Sequence, residues 1–525
     1  MSKKNIVIIG AGPAGLTAAY ELLSRDTDKE YNVIVIDKDD KVGGISKTVN
    51  CAGNKMDLGG HRFFSKVDRV NEWWEHMMPT QGSPSKDYKQ LGIKCELKEG
   101  GPNPDEVDKV MLRRNRVSRI LYNGHFFDYP ISLSFKTIKE MGVSTTAKVG
   151  LSYIKAVTHK IEEKSLEDFY INRFGYELYS MFFMDYTEKI WGVHPCSISP
   201  DWGAQRVKGL SIKAIMQNML RKAVHSTKGN IETSLIEVFS YPKYGPGQLW
   251  EETANKINEL GGEIKLKTEV KNIHIEDGKI QSIRVCKDRK DYDIQCDILL
   301  SSMPLKELIK GINGVPKQIF DIAEDLQYRN FVTVGLLLKR LKITNNTKIK
   351  TINNIIPDDW IYIHGKTDDS TLQMSRVQIF NNWSPYLVKD LDNTIWISTE
   401  YVCGDNDKIW NSMDYDLQIL ALKELNKAGI IDDDFHNNLI NYTVKRVDKA
   451  YPSYFGSYDR LPELREYLNS IDNLYCIGRN GQHRYNNMDH SMCTAFEAVD
   501  NIFNGVKTKD NIWNVNTEAE YHETK

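Results

Sequence analysis

The sequence lacks close cysteine pairs, long apolar runs and a dominant charge of one sign. Its eight cysteines lie far apart and form no CxxC pair, a pattern that fits a reducing cytosol better than a disulfide scaffold or a zinc site. No run approaches the ~20 apolar residues that a membrane helix needs. We therefore expect a cytoplasmic protein with no membrane span and no metal centre.

The charges are nearly balanced. The chain has 69 lysines and arginines against 71 acidic residues, a formal net charge of -2, so no global field favours binding to nucleic acid or to an anionic membrane. The most basic stretch, residues 109–119, is interrupted by apolar residues. It indicates a solvated face or a pocket for an anion, and we expect a small-molecule partner and no nucleic acid.

The N-terminal part of the sequence has the alternation of strand and helix patterns that is typical of an α/β fold. At 525 residues the chain is long enough for two or three lobes around a large core. Residues 6–9 and 32–36 are short apolar runs typical of buried parallel strands, and residues 13–23 between them have helical spacing. Strand-like patterns return at 263–270, 271–275 and 279–285, with Asp277-Gly278 as a hairpin turn. A last buried strand at 474–477 precedes a helix at 488–503.

A glycine turn follows the first predicted strand. Gly10, Gly12 and Gly15 form a GxGxxG motif, in which the first glycine permits a tight turn, the second lets the backbone approach a pyrophosphate, and the third lets the helix pack on the strand. Asp37 ends the second strand, where a carboxylate accepts hydrogen bonds from ribose hydroxyls. The order strand, turn, helix, strand and acid predicts a dinucleotide bound at the helix N-terminus.

Two further glycine pairs identify a family resemblance. Gly43 and Gly44 follow Asp37, and Gly59-Gly60 precede a histidine. Together with the glycine turn, this order resembles the superfamily of FAD-dependent amine oxidases and phytoene desaturases. The resemblance implies that FAD is the cofactor, with Gly43, Gly44 and Gly60 close to it and Val270 on its adenine side.

Three short segments resemble one branch of that superfamily, the UDP-galactopyranose mutases. They are residues 59–64 (GGHRFF), 186–192 (YTEKIWG) and 478–489 (GRNGQHRYNNMD). The resemblance implies that His61 lies beside the flavin ring and that Tyr485 reaches a substrate diphosphate. It also implies a substrate role for Tyr186 and Trp191, and flavin contacts from Gly478, Arg479, Met488 and Asp489.

The mutase resemblance also implies cationic side chains that bind the diphosphate when it leaves the sugar. Arg206 matches the first arginine of a pair that follows the mutase WG segment, but Leu210 stands where the second would be. Lys208 is a point charge and does not replace a bidentate guanidinium. We expect Arg206, Arg484 and Arg376, in that order, to contact phosphate, and we count His61, Arg206, Arg484 and Tyr485 as catalytic.

Two functions remain open. The mutase resemblance implies a flavoenzyme that isomerises or modifies a nucleotide-linked sugar through N5 of reduced flavin, for surface polysaccharide synthesis. The alternative is an FAD-dependent oxidoreductase of the amine oxidase or protoporphyrinogen oxidase type, which takes hydride from a C–H bond. Leu210 and the apolar pair Phe63-Phe64 favour this alternative. The oligomeric state is open.

The resemblance also implies a domain arrangement. We expect an α/β fold with a Rossmann-like FAD-binding domain of the GR2 type, into which helical and mixed α+β substrate domains are inserted. The FAD-binding domain would comprise residues 1–68, 240–315 and 470–510. The inserted domains would be a mainly helical one at 69–239 and a sheet-containing one at 316–469, followed by a polar tail at 511–525.

Overall fold

The two apolar runs near the N-terminus form neighbouring parallel strands. In the computed structural model, which describes residues 3–129, 141–207, 238–364, 366–367 and 370–516, strand Lys4–Ile9 pairs with strand Tyr31–Ile36, and helix Pro13–Arg25 connects them. Successive side chains of each strand enter two different apolar cores. Both strands are therefore buried on both faces, which explains their continuous apolar sequence.

The sheet that these strands begin is completed by distant parts of the chain. Its five parallel strands lie in the spatial order Leu474–Cys476, Ile298–Ser301, Lys4–Ile9, Tyr31–Ile36 and Glu263–Lys265. Helices Pro246–Glu259 and Met488–Asn504 pack against helix Pro13–Arg25 on one face. The α/β fold class is confirmed, and its central sheet needs segments from the start, middle and end of the chain.

A three-stranded antiparallel sheet follows the edge strand. It consists of Thr268–Glu276, Lys279–Lys287 and Lys290–Gln295. The predicted turn is confirmed: Asp277 and Gly278 both have positive φ, 48° and 73°, as a two-residue hairpin turn requires. The predicted single strand at 263–270 is wrong, because Lys267 takes a φ of 53° and separates two strands that belong to different sheets.

The second large sheet joins regions that the sequence pattern had separated. Its seven strands lie in the order Leu439–Gly456, Leu326–Leu338, Ile395–Cys403, Arg376–Ile379, Trp360–His364, Ser118–Tyr122 and His125–Asp128. Strand Ser118–Tyr122 pairs in parallel with Trp360–His364, so residues from 69–239 and 316–469 share one sheet. Charged and polar residues such as Arg119 and His125 interrupt the apolar alternation, which hid these strands in a stretch expected to be mainly helical.

Shorter elements complete the described part of the chain. The two-stranded sheets pair Thr48–Cys51 with Asn54–Asp57, Met111–Asn115 with Val238–Pro242, and Lys366–Thr367 with Ser370–Thr371. The remaining helices are Asp68–Met77, Lys86–Leu91, Val143–Thr158, Leu166–Phe174, Tyr176–Tyr179, Asp185–Trp191, Pro200–Val207, Leu305–Gly311, Lys317–Asp325, Phe380–Trp383, Lys408–Asn411, Asp414–Lys427, Phe435–Asn438, Leu461–Asn469, Gly478–Gly481 and Asp510–Trp513. A π-helical turn, Ser180–Met184, and 3₁₀ turns at Gly44–Ser46, Pro195–Ser197, Ile352–Asn354 and Ser457–Arg460 connect them. None of the described helices has the length and apolar character needed to cross a bilayer.

Helix Met488–Asn504, near the end of the chain, packs in the same core as helix Pro13–Arg25, near its start, and this arrangement is testable. Phe496 is 3% exposed and lies in the core that helix Pro13–Arg25 also lines. Phe496→Ala should destabilise this core by about 3–5 kcal/mol, because it leaves a cavity. Phe320→Ala, at a position 38% exposed, should change stability by at most about 0.5 kcal/mol. Urea unfolding followed by far-ultraviolet circular dichroism measures both, and equal midpoints for the two variants would contradict the arrangement.

Candidate functional site

A cleft of about 1320 Å³ opens at the carboxyl ends of the parallel strands. This is the edge at which open α/β sheets bind ligands. The volume exceeds the about 300–1,000 Å³ of ordinary ligand pockets, which leaves space for a dinucleotide and a second molecule. Its lining includes these sequence-predicted residues: Gly10, Gly12, Asp37, Gly44, Gly60, His61, Val270, Arg376, Gly478, Arg479, Tyr485, Met488 and Asp489.

The glycine turn is held by the acid that follows the second strand. Gly10 has a φ of 104°, which favours glycine. The Ala11 N–H donates to Oδ2 of Asp37 at 2.7 Å, and the Asp39 N–H donates to Oδ1 at 2.8 Å. Each carboxylate oxygen has a further lone pair, so Asp37 can fix the turn and still accept from ribose hydroxyls.

Gly12 and Gly44 bring two loops into contact at the start of helix Pro13–Arg25. A Cβ added at Gly12 would lie 3.7 Å from the Gly44 Cα, and one added at Gly44 would lie 3.2 Å from the Gly12 Cα. No side chain caps the helix at Gly12, so its first N–H groups are available to an anion. This bare helix N-terminus fits the pyrophosphate of a dinucleotide.

Gly15 and Gly43 lie behind this surface and do not line the cleft. A Cβ at Gly15 would lie 1.8 Å from the Gly10 carbonyl oxygen, so Gly15 permits the close packing of helix and strand that the motif predicts. Gly43 has a φ of 103°, and its N–H donates to the Ala11 carbonyl at 2.8 Å. Both glycines shape the turn without facing a ligand.

The side of the cleft that lies beyond Asp37 is formed by the start of strand Thr268–Glu276. The Thr268 N–H donates to the Asp37 carbonyl at 2.9 Å, and the Lys267 N–H donates to the Asp39 carbonyl at 2.8 Å. Val270 lies on this wall. An adenine placed here would rest on the hairpin while its ribose met Asp37.

His61 lines the cleft near Arg376 and Arg479, and this part of the cleft is called here the ring end. Its Nε2 donates to the carbonyls of Ile45 at 3.0 Å and Leu58 at 3.1 Å. Burial, together with the nearby charges of Arg479 and Arg376, lowers the pKa of His61 to about 4, although the hydrogen bonds to Leu58 and Ile45 oppose the shift. The ring is therefore neutral at pH 7, with its proton on Nε2.

Two stacked tyrosines and an arginine form another wall of the ring end. The rings of Tyr451 and Tyr485 are 5.4 Å apart and nearly parallel, at 9°. The guanidinium carbon of Arg479 lies 4.8 Å from the Tyr485 ring centroid, and Arg479 donates to the carbonyls of Asn486 and Ala450 at 2.9 and 3.0 Å. These contacts hold a positive charge beside the position predicted for a flavin ring.

The third wall carries three more arginines among aromatic side chains. Arg376 forms an ion pair with the fully buried Glu400. Arg62 lies 3.7 Å from the Trp360 ring centroid and donates to the Ser118 hydroxyl at 2.8 Å. The Arg116 guanidinium lies 5.6 Å from the Tyr129 ring centroid, and it has no ion pair among the described residues. Arg116 is thus available to an anionic ligand.

Several residues predicted from the mutase resemblance lie outside the cleft. Trp191 is 1% exposed and packs 5.6 Å from Trp202 and 6.4 Å from Tyr485. Tyr186 stacks on His364 at 4.3 Å. Both belong to helix Asp185–Trp191, which places Trp191 in an aromatic core and Tyr186 against His364 and Tyr362.

Of the two arginines ranked first and second for phosphate binding, the structure places only the side chain of Arg484, and the prediction for Arg206 stays untested. Arg484 donates from Nη1 to the carbonyls of Trp513 and Val515, both at 3.3 Å, and does not line the cleft. The C-terminal segment therefore occupies its guanidinium. The backbone of Arg206 belongs to helix Pro200–Val207, but its side chain, with Lys208 and Leu210, lies outside the described part of the chain.

Pattern analysis missed several residues that line the ring end: Arg62, Arg116, Tyr129, Trp360, Tyr362 and Tyr451. Two signals could have found some of them. Arg62 directly follows His61, and Arg116 belongs to the basic stretch that allowed an anion pocket. The aromatic residues come from strands and loops with no recognisable motif.

Comparison with known proteins agrees with this geometry. The model of the family described as flavin containing amine oxidoreductase matches residues 13–377. A Klebsiella pneumoniae protein named as a probable UDP-galactopyranose mutase is 26% identical over 201 residues, which cover 38% of this chain and 44% of the relative. Coproporphyrinogen III oxidase of Mycobacterium leprae (strain TN) is 33% identical over 70 residues, 13% of this chain and 15% of that enzyme. The chain thus matches less than half the length of these curated relatives.

Solved structures extend the likeness in fold over the whole chain. Reduced UDP-galactopyranose mutase superposes with a TM-score of 0.75 at 20% identity, covering 99% of this chain and 100% of that one. A protein assigned as a protoporphyrinogen oxidase from Exiguobacterium sp. 255-15 superposes with a TM-score of 0.65 at 16% identity, covering 96% and 99%. At these identities the likeness shows a shared fold.

The glycine cradle yields a direct test of cofactor binding. The purified protein should be yellow and should release FAD. Gly12→Val should fold but lose the flavin, because the first added carbon fits beside Gly44 while the methyl groups enter the pyrophosphate position. Gly15→Val should instead impair folding, because its Cβ would collide with the Gly10 carbonyl. Absorbance after FAD reconstitution and circular dichroism measure the two effects, and flavin uptake by Gly12→Val would contradict the assignment.

Proposed function

Because the chain belongs to the flavin containing amine oxidoreductase family, it is an FAD-dependent enzyme, and we propose that its substrate is a nucleotide-linked or other phosphate-linked sugar. The observation that carries this proposal is the cationic ring end of the cleft. Arg116 and Arg376 both line it, and one of them has no ion pair among the described residues. An anion is the substrate group that such a wall recognises.

The residues proposed to hold the cofactor follow the length of the cleft. Gly10, Gly12 and Gly44 would contact the pyrophosphate, Asp37 the ribose and Val270 the adenine side. Gly60, Gly478, Arg479, Met488 and Asp489 would surround the ring. When bound, FAD supplies either the nucleophilic N5 of its reduced form or an acceptor for hydride.

The two proposed phosphate ligands differ in how firmly they are held. Glu400 fixes the guanidinium of Arg376, and Gln378 donates to the other Glu400 oxygen at 2.6 Å. Arg376 is therefore pre-organised, so that little side-chain entropy is lost on binding. Arg116 rests only against the Tyr129 ring in the described structure. Each arginine–phosphate hydrogen bond would contribute about 1.5–3 kcal/mol.

Aromatic side chains beside these arginines suit the planar part of a nucleotide. The rings of Tyr129 and Tyr362 are 4.5 Å apart, and those of Trp360 and Tyr362 are 5.9 Å apart in an edge-on arrangement. Aromatic faces attract planar rings without demanding one particular base. Tyr186 and Trp191 lie one layer behind, where they support Tyr362 and Tyr485.

His61 has a narrower role than a general acid. Because its pKa is depressed to about 4, it holds no exchangeable positive charge near pH 7. Its Nε2 proton is engaged by two carbonyls, which leaves Nδ1 as an acceptor. We propose that His61 orients the glycine loop beside the flavin and accepts one hydrogen bond through Nδ1. Tyr485 lines the same cleft, stacked on Tyr451, and is proposed to contact the substrate.

The competing oxidoreductase function has one supporting feature in the cleft. Phe64 lines it, whereas Phe63 is 2% exposed and packs 5.0 Å from Trp74 in the core. Of the two phenylalanines expected to form an apolar wall, only Phe64 therefore faces the cleft. The names of the relatives support both chemistries, since one is a mutase and the other an oxidase. A role in surface polysaccharide synthesis, a cytoplasmic location and the contribution of Arg206 stay predictions.

UDP binding separates these functions. UDP should bind the dithionite-reduced protein, and Arg116→Ala should weaken binding about ten- to a hundredfold, because a charge-assisted hydrogen bond is lost. Arg113→Ala is the matched control: it lies three residues earlier and pairs with Glu96 outside the cleft. Arg484→Ala tests the earlier expectation and should have little effect. Isothermal titration calorimetry on oxidised and reduced protein measures all of these.

Two outcomes would change the account. If UDP and UDP-sugars bind neither redox form, the phosphate-linked substrate fails and the oxidoreductase becomes the leading function. If UDP binds but UDP-galactopyranose is not converted, the substrate class stands and the sugar is a different one. Arg376→Lys is the preferred second variant, because removing all charge would leave Glu400 buried without its counter-charge.

A further inference from the structure

A second group of reactive side chains lies outside the cleft. Glu167, His194 and Cys196 place their potential ligand atoms within 4.8 Å of one another. Glu167 is in the first turn of helix Leu166–Phe174, and the other two flank Pro195 at the 3₁₀ turn Pro195–Ser197. The absence of a CxxC pair argued against zinc in the sequence, but the fold supplies a cysteine, a histidine and a carboxylate from two separate elements.

A buried phenol faces the same point. Tyr179 is 0% exposed, and its hydroxyl lies beside the Glu167 carboxylate without a well-formed hydrogen bond. Burial raises the pKa of Tyr179, and the adjacent carboxylate of Glu167 and thiol of Cys196 raise it further. A buried hydroxyl whose hydrogen bonding is incomplete is unfavourable. A cation among these groups would satisfy the phenol oxygen and the carboxylate together.

The backbone around the group is already held in place. The Leu166 N–H donates to the Ile198 carbonyl at 2.8 Å, which ties the helix to the segment that carries His194 and Cys196. The Cys196 N–H contacts Nδ1 of His194 at 3.3 Å. This hydrogen bond is long, so a metal that bound either ring nitrogen of His194 would replace only a weak interaction. Cys196 is exposed, which leaves a path for an ion to enter.

We propose that Glu167, His194 and Cys196 form a structural Zn²⁺ site, with the Tyr179 hydroxyl or a water as the fourth ligand. Thiolate, imidazole and carboxylate together suit zinc and not magnesium or calcium, which take oxygen ligands. On binding, the Cys196 thiol loses its proton to solvent and its sulfur bonds the metal. Zinc–ligand bonds are about 2.0–2.3 Å long. For one ion to reach the ligand atoms of Glu167, His194 and Cys196 together, the distances between these atoms need to shorten by about 1 Å.

The position of the site indicates what it would stabilise. His194 and Cys196 follow Trp191 and Gly192 closely in the chain, and Trp191 packs against Tyr485 of the cleft wall. A metal would fasten this segment to helix Leu166–Phe174. It would therefore support the wall behind Tyr485 without touching the flavin or the substrate.

Metal binding to the untagged FAD-containing protein tests the proposal. Titration with Zn²⁺ should show one site per chain, and Co²⁺ should give visible d–d bands at wavelengths longer than flavin absorption. Cys196→Ser and His194→Gln should each weaken Zn²⁺ binding by at least about tenfold, because the loss of an outer-shell partner alone costs about 10–100-fold. Cys95→Ser and His159→Gln are matched controls and should bind as the wild type does.

The outcomes are distinct from those of the UDP experiment. Absence of stoichiometric Zn²⁺ binding would overturn the proposal. Binding that survives unchanged in Cys196→Ser, His194→Gln and Glu167→Gln would mark an adventitious ion only, and would overturn it as well. In the expected case, Zn²⁺ raises the melting temperature of the wild type and of the two controls, and leaves that of Cys196→Ser unchanged.

Discussion

The pairing of strand Lys4–Ile9 with strands on both sides is the constraint on which the rest of the structure depends. Its neighbours, Tyr31–Ile36 and Ile298–Ser301, are parallel to it, so the carboxyl ends of all three meet at one edge. The turn at Gly10, the carboxylate of Asp37 and the Ser302 side chain all emerge there. The Ser302 hydroxyl donates to the Ile9 carbonyl at 2.9 Å and closes that edge. The cleft is a direct product of this strand alignment.

The ring end depends instead on charges that are costly to bury. Arg376 pairs with a fully buried Glu400, and Arg62 lies 4.0 Å from the buried Asp359. Burial raises the pKa of Asp359 to about 7, although Arg62 and Arg114 oppose the shift. Removing charges from water costs several kcal/mol each, and replacing such pairs by apolar groups is often stabilising. These pairs are therefore weak evidence for stability, and ligand recognition by the arginines stays a prediction.

The parts that the sequence predicted are those in which local pattern and tertiary role coincide. The glycine turn and the Asp277-Gly278 hairpin each need a backbone conformation that few residues adopt, and Asp37 follows directly from the end of its strand, so the local sequence identifies all three. Arg484 and Trp191 sit in equally recognisable motifs, but the direction of each side chain depends on packing partners elsewhere in the chain. Arg484 donates hydrogen bonds to the carbonyls of Trp513 and Val515, and Trp202 packs on Trp191. Arg116 belonged to no motif, because strand pairing across about 240 residues brings it to the cleft.

That long-range pairing also determines which residues can define the substrate. Strand Ser118–Tyr122 follows Arg116 directly and pairs with Trp360–His364, whose neighbour is strand Arg376–Ile379. Trp360 and Arg376 therefore lie on paired strands of one sheet, whereas Arg116 lies in the link between strand Met111–Asn115 and strand Ser118–Tyr122. Arg376 is held by Glu400 before any ligand arrives, whereas Arg116 contacts only the Tyr129 ring in the described structure, so the two arginines lose different amounts of side-chain freedom if they bind an anion. These strands also reach the predicted flavin loop, because a Cβ added at Gly60 would lie 2.4 Å from the Trp360 ring, so an exchange at Trp360 should affect the cofactor site as well as the substrate wall.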